Sequence, residues 1–287
     1  MVQLRRMGRQ RDAAVAGILF VLLAGLPARA HDEPPKTATE LADTHEQWHR
    51  LAAAGIAERR LYETVAGAPE TWLLSDTFDV QGRQVGQVVG RGEDRQRSRS
   101  SYDAAGDWVL EETWQGDQPV DRTTFSYDAQ HLMTGAVSED LATGASERLA
   151  YDRDRVADTI VATKTRADSL VYVIRFRYEP GGGLACLAEA TRTGPRGEPV
   201  LRTSQAWRDG QRQSKAVYGS DGNLAYEFRY DYDHNGDLAV VTKRDAAGRL
   251  LLRQVYARGA DRLPTSVTDH DADGRVTRTL RYEYVRR

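Results

Sequence analysis

The sequence predicts an all-β fold: a repeat-built antiparallel meander of roughly 16 strands, twisted or spiralling, preceded by a short α-helical segment. Three observations predict it. Aromatic residues recur at a near-constant interval, turns built from acids and glycine punctuate each interval, and apolar and polar residues alternate between the turns. Self-similarity at a fixed period outranks any single motif, because missing it misreads the whole fold.

The chain divides into three parts. Residues 1–30 read as a signal peptide: Arg5, Arg6, Arg9 and Arg11 form a basic start, Ala13 to Leu26 carries no charge, and Ala28-Arg29-Ala30 is a small-x-small cleavage pattern. The apolar run is too short for a membrane span, so no span is expected after cleavage. Residues 31–70 read as helical. Thr37 and Glu40 form a capping box, Leu41, Trp48, Leu51 and Ala52 recur at helical spacing, and Gly55 is a stop. A second short helix is expected from Ile56 to Val65, ended by Gly67-Ala68-Pro69.

Residues 71–287 carry the repeat. Aromatic landmarks fall at Phe78, Tyr102, Tyr127, Tyr151, Tyr178, Trp207, Tyr232, Tyr256 and Tyr284, spaced by 24, 25, 24, 27, 29, 25, 24 and 28 residues. An acid follows the aromatic at Asp79, Asp103, Asp128, Asp152, Glu179 and Asp233, and glycine lies three residues further on at Gly82, Gly106 and Gly236. Each unit has a second turn near its middle, as at Asp221-Gly222, Ala247-Gly248 and Asp273-Gly274. Such pairs supply the positive φ that tight hairpins need. Between turns, Leu224, Tyr226, Phe228, Tyr230 and Tyr232 point one way, while Glu227, Arg229 and Asp231 point the other. Eight or so units of two strands exceed a usual open sheet, so the meander must curl, spiral or close.

The stretch that begins Tyr232-Asp233-His234-Asn235-Gly236-Asp237 and ends at Val255-Tyr256, and the run from Asp261 through Asp273-Gly274 to Tyr284, resemble the YD repeat of Rhs-type bacterial surface and secreted proteins. The resemblance implies a spiralling antiparallel sheet, which in large members wraps into a hollow shell around a toxin. The units here are far too few for a shell, so what it implies for this chain is architecture rather than toxin delivery.

Composition narrows the function. A net charge of −2 over 287 residues argues against an electrostatic grip on nucleic acid. Cys186 is the single cysteine, which rules out an intrachain disulfide and a Cys-ligated structural zinc.

Two motifs point to metals. His45-Glu46-Gln47-Trp48-His49 matches H-E-x-x-H, which on a helix sets two histidines one turn apart for zinc, with Glu46 activating a water. Its rival is a solvated helix face with Glu46 paired to Arg50. Asp269, Asp271 and Asp273 imitate the start of a calcium loop, but Leu280 stands where the bidentate glutamate belongs. Turn chemistry explains those acids as well. The aromatic ladder of Tyr226, Phe228, Tyr230, Tyr232 and Tyr256 is either packing or a platform for a glycan or protein partner.

The expectation from sequence is therefore an exported, non-enzymatic binding or structural scaffold, periplasmic or extracellular, without a cofactor. A zinc hydrolase using His45, Glu46 and His49 is one alternative. An outer-membrane β-barrel is the other, and it would need an unbroken lipid-facing apolar band.

Overall fold

A computed structural model of the chain describes residues 47–90, 95–154, 158–179 and 186–287. All of them fall in one compact unit, Lys36–Arg287. They open on helix α1 (47–53), which ends where Ala54 donates to the Arg50 carbonyl and Gly55 takes a φ of 65°. Glycine tolerates that left-handed cap without a Cβ clash.

Eighteen strands follow. They are β1 (Ile56–Val65), β2 (Thr71–Phe78), β3 (Gln84–Val89), β4 (Gln96–Tyr102), β5 (Trp108–Gln115) and β6 (Gln118–Tyr127). Next come β7 (Met133–Asp140), β8 (Ser146–Asp154), β9 (Thr159–Arg166), β10 (Ser169–Tyr178), β11 (Leu187–Thr193) and β12 (Pro199–Arg208). The last are β13 (Gln211–Tyr218), β14 (Leu224–Tyr232), β15 (Leu238–Asp245), β16 (Leu250–Arg258), β17 (Pro264–His270) and β18 (Val276–Arg286).

Every strand pairs antiparallel with its sequence neighbours, and β1 pairs with both β2 and β18. The sheet therefore closes into an 18-stranded barrel. Closure removes the unpaired edges that an open meander would expose.

The second helix expected for Ile56–Val65 is instead strand β1, and the sheet begins at Ile56 rather than at residue 71. The physical reason is tertiary. As a helix this segment would satisfy its own backbone, but β2 and β18 would each keep an open edge; as a strand it satisfies both. Ile56, Arg59 and Leu61 are buried and face inward, with a register shift between Ile56 and Glu58 that keeps the alternation in phase.

One face of the sheet is the core, and period-2 alternation sets it. Tyr172, Ile174, Phe176 and Tyr178 of β10 are buried, while Arg175 and Arg177 between them are exposed. Pairing carries the same side around the ring: Phe176 opposes Ile160 and Ala190, Phe125 opposes Ala136, and Val267 opposes Tyr256 and Leu280. Fully burying a side chain of this size contributes about 1.5–3 kcal/mol.

The turns explain the aromatic–acid signature. Asp79, Asp103, Asp128, Asp233, Asp245 and Asp271 each accept two backbone N–H groups with one carboxylate oxygen, from the residues two and four positions on. The residue three positions on takes a positive φ, as at Gly82 (79°) and Gly236 (79°). This is a short hairpin turn closed by a bulge, and it accounts for the register shift at hairpin after hairpin. At two such positions the glycine is replaced, by His131 and by Arg262, each at a φ of 61°.

Candidate functional site on the inner face of the barrel

The turns that follow the even-numbered strands lie at one end of the barrel, and α1 lies against that end. Leu51 is buried with Ile56, Phe78 and Leu263, and the Trp48 ring meets Tyr102 edge-on at 5.9 Å. On the far side, Arg50 Nη1 is 3.0 Å from Asp237 Oδ1, and Arg262 Nε donates to Asp237 Oδ2 at 2.7 Å. Burial alone would push the Asp237 carboxyl up, but Arg262 and Arg50 outweigh it and hold the group below the usual carboxylate range. The helix thus bridges the turns of β2–β3 and β14–β15. A shallow recess of about 280 Å³ remains beside it, lined by Asp233, Asp237, Tyr256, Arg258 and Arg262 among others.

The five ladder residues read from sequence come together on the inner face. Tyr226 opposes Val217, Phe228 opposes Lys215 and Lys243, Tyr230 opposes Val241, and Tyr256 opposes Val267. Tyr226 and Phe228 pack edge-on at 5.4 Å along one strand. Burial raises the phenol pKa of Tyr226, Tyr230 and Tyr256 above the ordinary value.

The landmark aromatics also serve the backbone. Tyr102, Tyr127, Tyr232 and Tyr284 each donate their hydroxyl to the carbonyl of a residue 18–20 positions earlier: Gln84, Trp108, Arg212 and Pro264, at 2.8–3.0 Å. Trp207 does the same with its indole N–H to Leu187 at 2.8 Å. Each acceptor is the first or second residue of the adjacent strand, so the ring lies along the inner face and its polar tip closes the hairpin mouth.

Sequence reasoning missed the cations that alternate with these rings. Lys243 Nζ lies 4.0 Å from the Tyr226 ring centroid and 5.6 Å from that of Phe228. Arg192 covers Tyr172 at 4.0 Å, and Arg212 lies 5.1 Å from Trp207 and 5.6 Å from Tyr230. Burial lowers the Lys243 pKa, and among the described residues no carboxylate lies within ion-pair distance of it. The signal was in the register: Lys243 is two residues from Val241, and Arg258 two from Tyr256, so strict alternation turns both inward.

The opposite wall is acidic and amidic. Asp76 is fully buried, paired with Arg59 at 2.7 Å and hydrogen-bonded by Gln84 and Gln87. Glu111 and Asp121 face inward beside Ser100, Thr113 and Thr123.

The metal candidates are dispersed. His45 and Glu46 lie outside the described residues, and His49 is exposed on α1. Asp269 is buried in β17, held by Gln254 and Arg278. Asp271 caps its own turn, and Asp273 pairs with Arg275 in solvent. The geometry sends these three carboxylates in different directions. Among the described residues no group of three or more His, Cys, Asp or Glu is placed to hold a metal ion.

No family model matches the chain, and neither does any curated protein. Among solved structures, it is similar to part of the Photorhabdus luminescens Tc holotoxin pore at 11% identity, covering 68% of this chain and 15% of that one, with a TM-score of 0.18. It is similar to the TcdB2–TccC3 structure lacking its hypervariable C-terminal region at 9% identity, covering 71% and 19%, with a TM-score of 0.17. A putative outer membrane lipoprotein-sorting protein domain from Vibrio parahaemolyticus is similar at 10% identity, covering 86% and 91%, with a TM-score of 0.26. The chain spans under a fifth of either toxin chain. At these scores the likenesses assign neither fold nor activity.

Proposed function

We propose that the protein is a non-enzymatic binding barrel that works in water, at the cell envelope or outside the cell. The observation that carries this reading is the contrast between the two faces of one closed sheet. Mid-strand outward positions hold Arg60, Arg99, Glu112, Arg122, Arg175 and Glu227, among others, whereas the inner face holds the aromatic ladder. A lipid-facing band would bear apolar residues at those outward positions, and a charge near the bilayer midplane costs about 2–4 kcal/mol. The outward face therefore weighs against the outer-membrane barrel. No helix among the described residues is long and apolar enough to cross a membrane.

The location rests on the leader-like first 30 residues. The non-enzymatic part of the reading is supported by acids with structural roles: Asp79, Asp103, Asp128, Asp233, Asp245 and Asp271 cap turns, and Asp76, Asp237 and Asp269 are held by arginines. Fractionation of cells producing the full chain tests both features at once. Recovery from the periplasm or medium in detergent-free buffer, without bound zinc, is the expected result. Retention in carbonate-washed membranes would overturn it in favour of a membrane barrel. Stoichiometric zinc that disappears in His49→Ala would overturn it in favour of a hydrolase.

A further inference from the structure

The sequence holds two asparagines, Asn223 and Asn235, and the fold treats them differently. Both are exposed in hairpin turns. Asn223 is pinned by Asp221, whose Oδ2 accepts from its Nδ2 at 2.9 Å and whose Oδ1 accepts from its backbone N–H at 3.0 Å. Leu224 follows it. At Asn235 the backbone alone is held: its N–H donates to Asp233 Oδ1 at 2.8 Å, and its carbonyl accepts from Arg262 Nη2 at 3.0 Å. Among the described residues its carboxamide makes no hydrogen bond, and Gly236 follows it.

An unheld carboxamide before a glycine has a chemistry of its own. The backbone nitrogen one residue after an asparagine can reach the side-chain carbonyl carbon, and a glycine there puts no Cβ in the way. The Gly236 N–H is tied to the Asp233 carbonyl by one bond of 3.0 Å at the exposed tip of the hairpin, so a small local opening frees it. The Arg262 guanidinium on the Asn235 carbonyl draws electron density out of the same peptide unit, which eases loss of the N–H proton.

We propose that Asn235 is a deamidation site whose conversion unseats helix α1. The Gly236 nitrogen gives up its proton to solvent and bonds to Asn235 Cγ. Nδ2 takes up a proton from solvent and leaves as ammonia. Water then opens the cyclic imide at one carbonyl or the other, giving aspartate or a β-linked isoaspartate. Both products place a new negative charge at position 235, and isoaspartate also adds a carbon to the backbone. The place matters because this turn carries α1. Asp233 Oδ1 accepts from the N–H groups of both Asn235 and Asp237, at 2.8 and 2.9 Å, so a longer backbone between them breaks the fit. Asp237 is the residue that Arg50 of α1 and Arg262 both hold. Moving it breaks the Arg50 contact, and the new carboxylate competes for Arg262. The change runs one way and accumulates with the age of the molecule.

The test is incubation of the purified full chain at mildly alkaline pH, followed by tryptic peptide mapping. Cleavage after Lys215, Arg229 and Lys243 puts the two asparagines on separate peptides, 216–229 and 230–243. Peptide 230–243 should shift progressively by the mass difference between an amide and an acid, and accept methyl groups from an isoaspartyl methyltransferase. Peptide 216–229 should keep its amide. Limited proteolysis should cut the aged chain within residues 47–55 severalfold faster than the fresh chain. Asn235→Gln, aged alongside, should be cut no faster than when fresh, because glutamine has to close a larger ring. Circular dichroism of the fresh proteins shows that both start from the same fold. An Asn235 amide that survives an incubation long enough to deamidate a synthetic 230–243 peptide would overturn the site, as would equal loss at Asn223. Deamidation at Asn235 that leaves residues 47–55 protected, or equal cutting of aged Asn235→Gln, would overturn the link to α1.

Discussion

His131 Nδ1 lies 2.8 Å from Asp107 Oδ2, joining the β6–β7 turn to the β4–β5 turn before it. Arg262 makes the equivalent reach to Asp237, 25 residues earlier, with Nε 2.7 Å from Oδ2. In both cases the donor stands at the positive-φ turn position that glycine fills elsewhere, and the acceptor is the acid four residues after the preceding turn's Asp. The two non-glycine residues accept a disfavoured backbone and clasp neighbouring hairpins in return.

The His131 clasp makes stability depend on pH. Its hydrogen bond to Asp107, and the charge of that carboxylate, raise the folded-state pKa above the unfolded value of about 6.5. The stabilisation is fully present below the unfolded value and is lost as pH rises through the raised folded one. Melting temperatures of wild type and Asp107→Asn should therefore differ most at pH 5.5 and converge by pH 9. A difference that stays constant across that range contradicts the clasp.

The landmark tyrosine hydroxyls each close a hairpin mouth. Tyr127→Phe and Tyr232→Phe keep the inward ring and lose one hydroxyl–carbonyl bond. Each should lower unfolding free energy by about 0.5–1.5 kcal/mol. Urea denaturation checks this, with the midpoint moving and the slope unchanged.

The buried pair Arg59–Asp76 should behave differently from an exposed pair. Asp76→Ala leaves Arg59 charged in a site where it is 6% exposed, and should cost about 3–5 kcal/mol. Glu112→Ala breaks the exposed pair with Arg122 and should cost no more than about 1 kcal/mol. The same denaturation series reports both.

Helix α1 is seated directly on the β2–β3 turn. A Cβ at Gly82 would stand 2.1 Å from the Trp48 carbonyl oxygen, whereas one at Gly248 meets nothing within 4 Å, and both glycines have a φ near 80°. Gly82→Ala should therefore displace α1, change Trp48 fluorescence and expose residues 47–55 to proteolysis. Gly248→Ala carries the backbone strain alone and should leave α1 protected.

Much of this fold is legible in the sequence because its information is local. The Asp-x-x-Gly turns announce themselves through residue types that only tight turns require, and Leu224 to Tyr232 alternates plainly enough to fix its inner face. Ile56–Val65 was not legible. Its Glu58-Arg59-Arg60 run hides the alternation, and what makes it a strand is the pair of edges offered by β2 and β18, hundreds of residues apart in one case. Closure itself has no local code. The turns at His131 and Arg262 escape notice because the glycine is missing and a side-chain clasp takes its place. The ladder residues were readable as one face, but Lys215 and Lys243 were not. Lysine in an alternating strand reads as solvent-facing unless the register is counted from a buried neighbour such as Phe228.

The central claim is that the sheet closes, since the inner wall exists only if β1 joins β18. Arg60 opposes Glu283 across that seam on the outward face. The direct measurement is disulfide trapping in Arg60→Cys with Glu283→Cys, in a Cys186→Ser background. The closed barrel predicts rapid intrachain oxidation of purified, folded protein at low concentration, seen as a faster-migrating monomer that reverts on reduction. Thiols that stay free, or that oxidise only between chains, would contradict it.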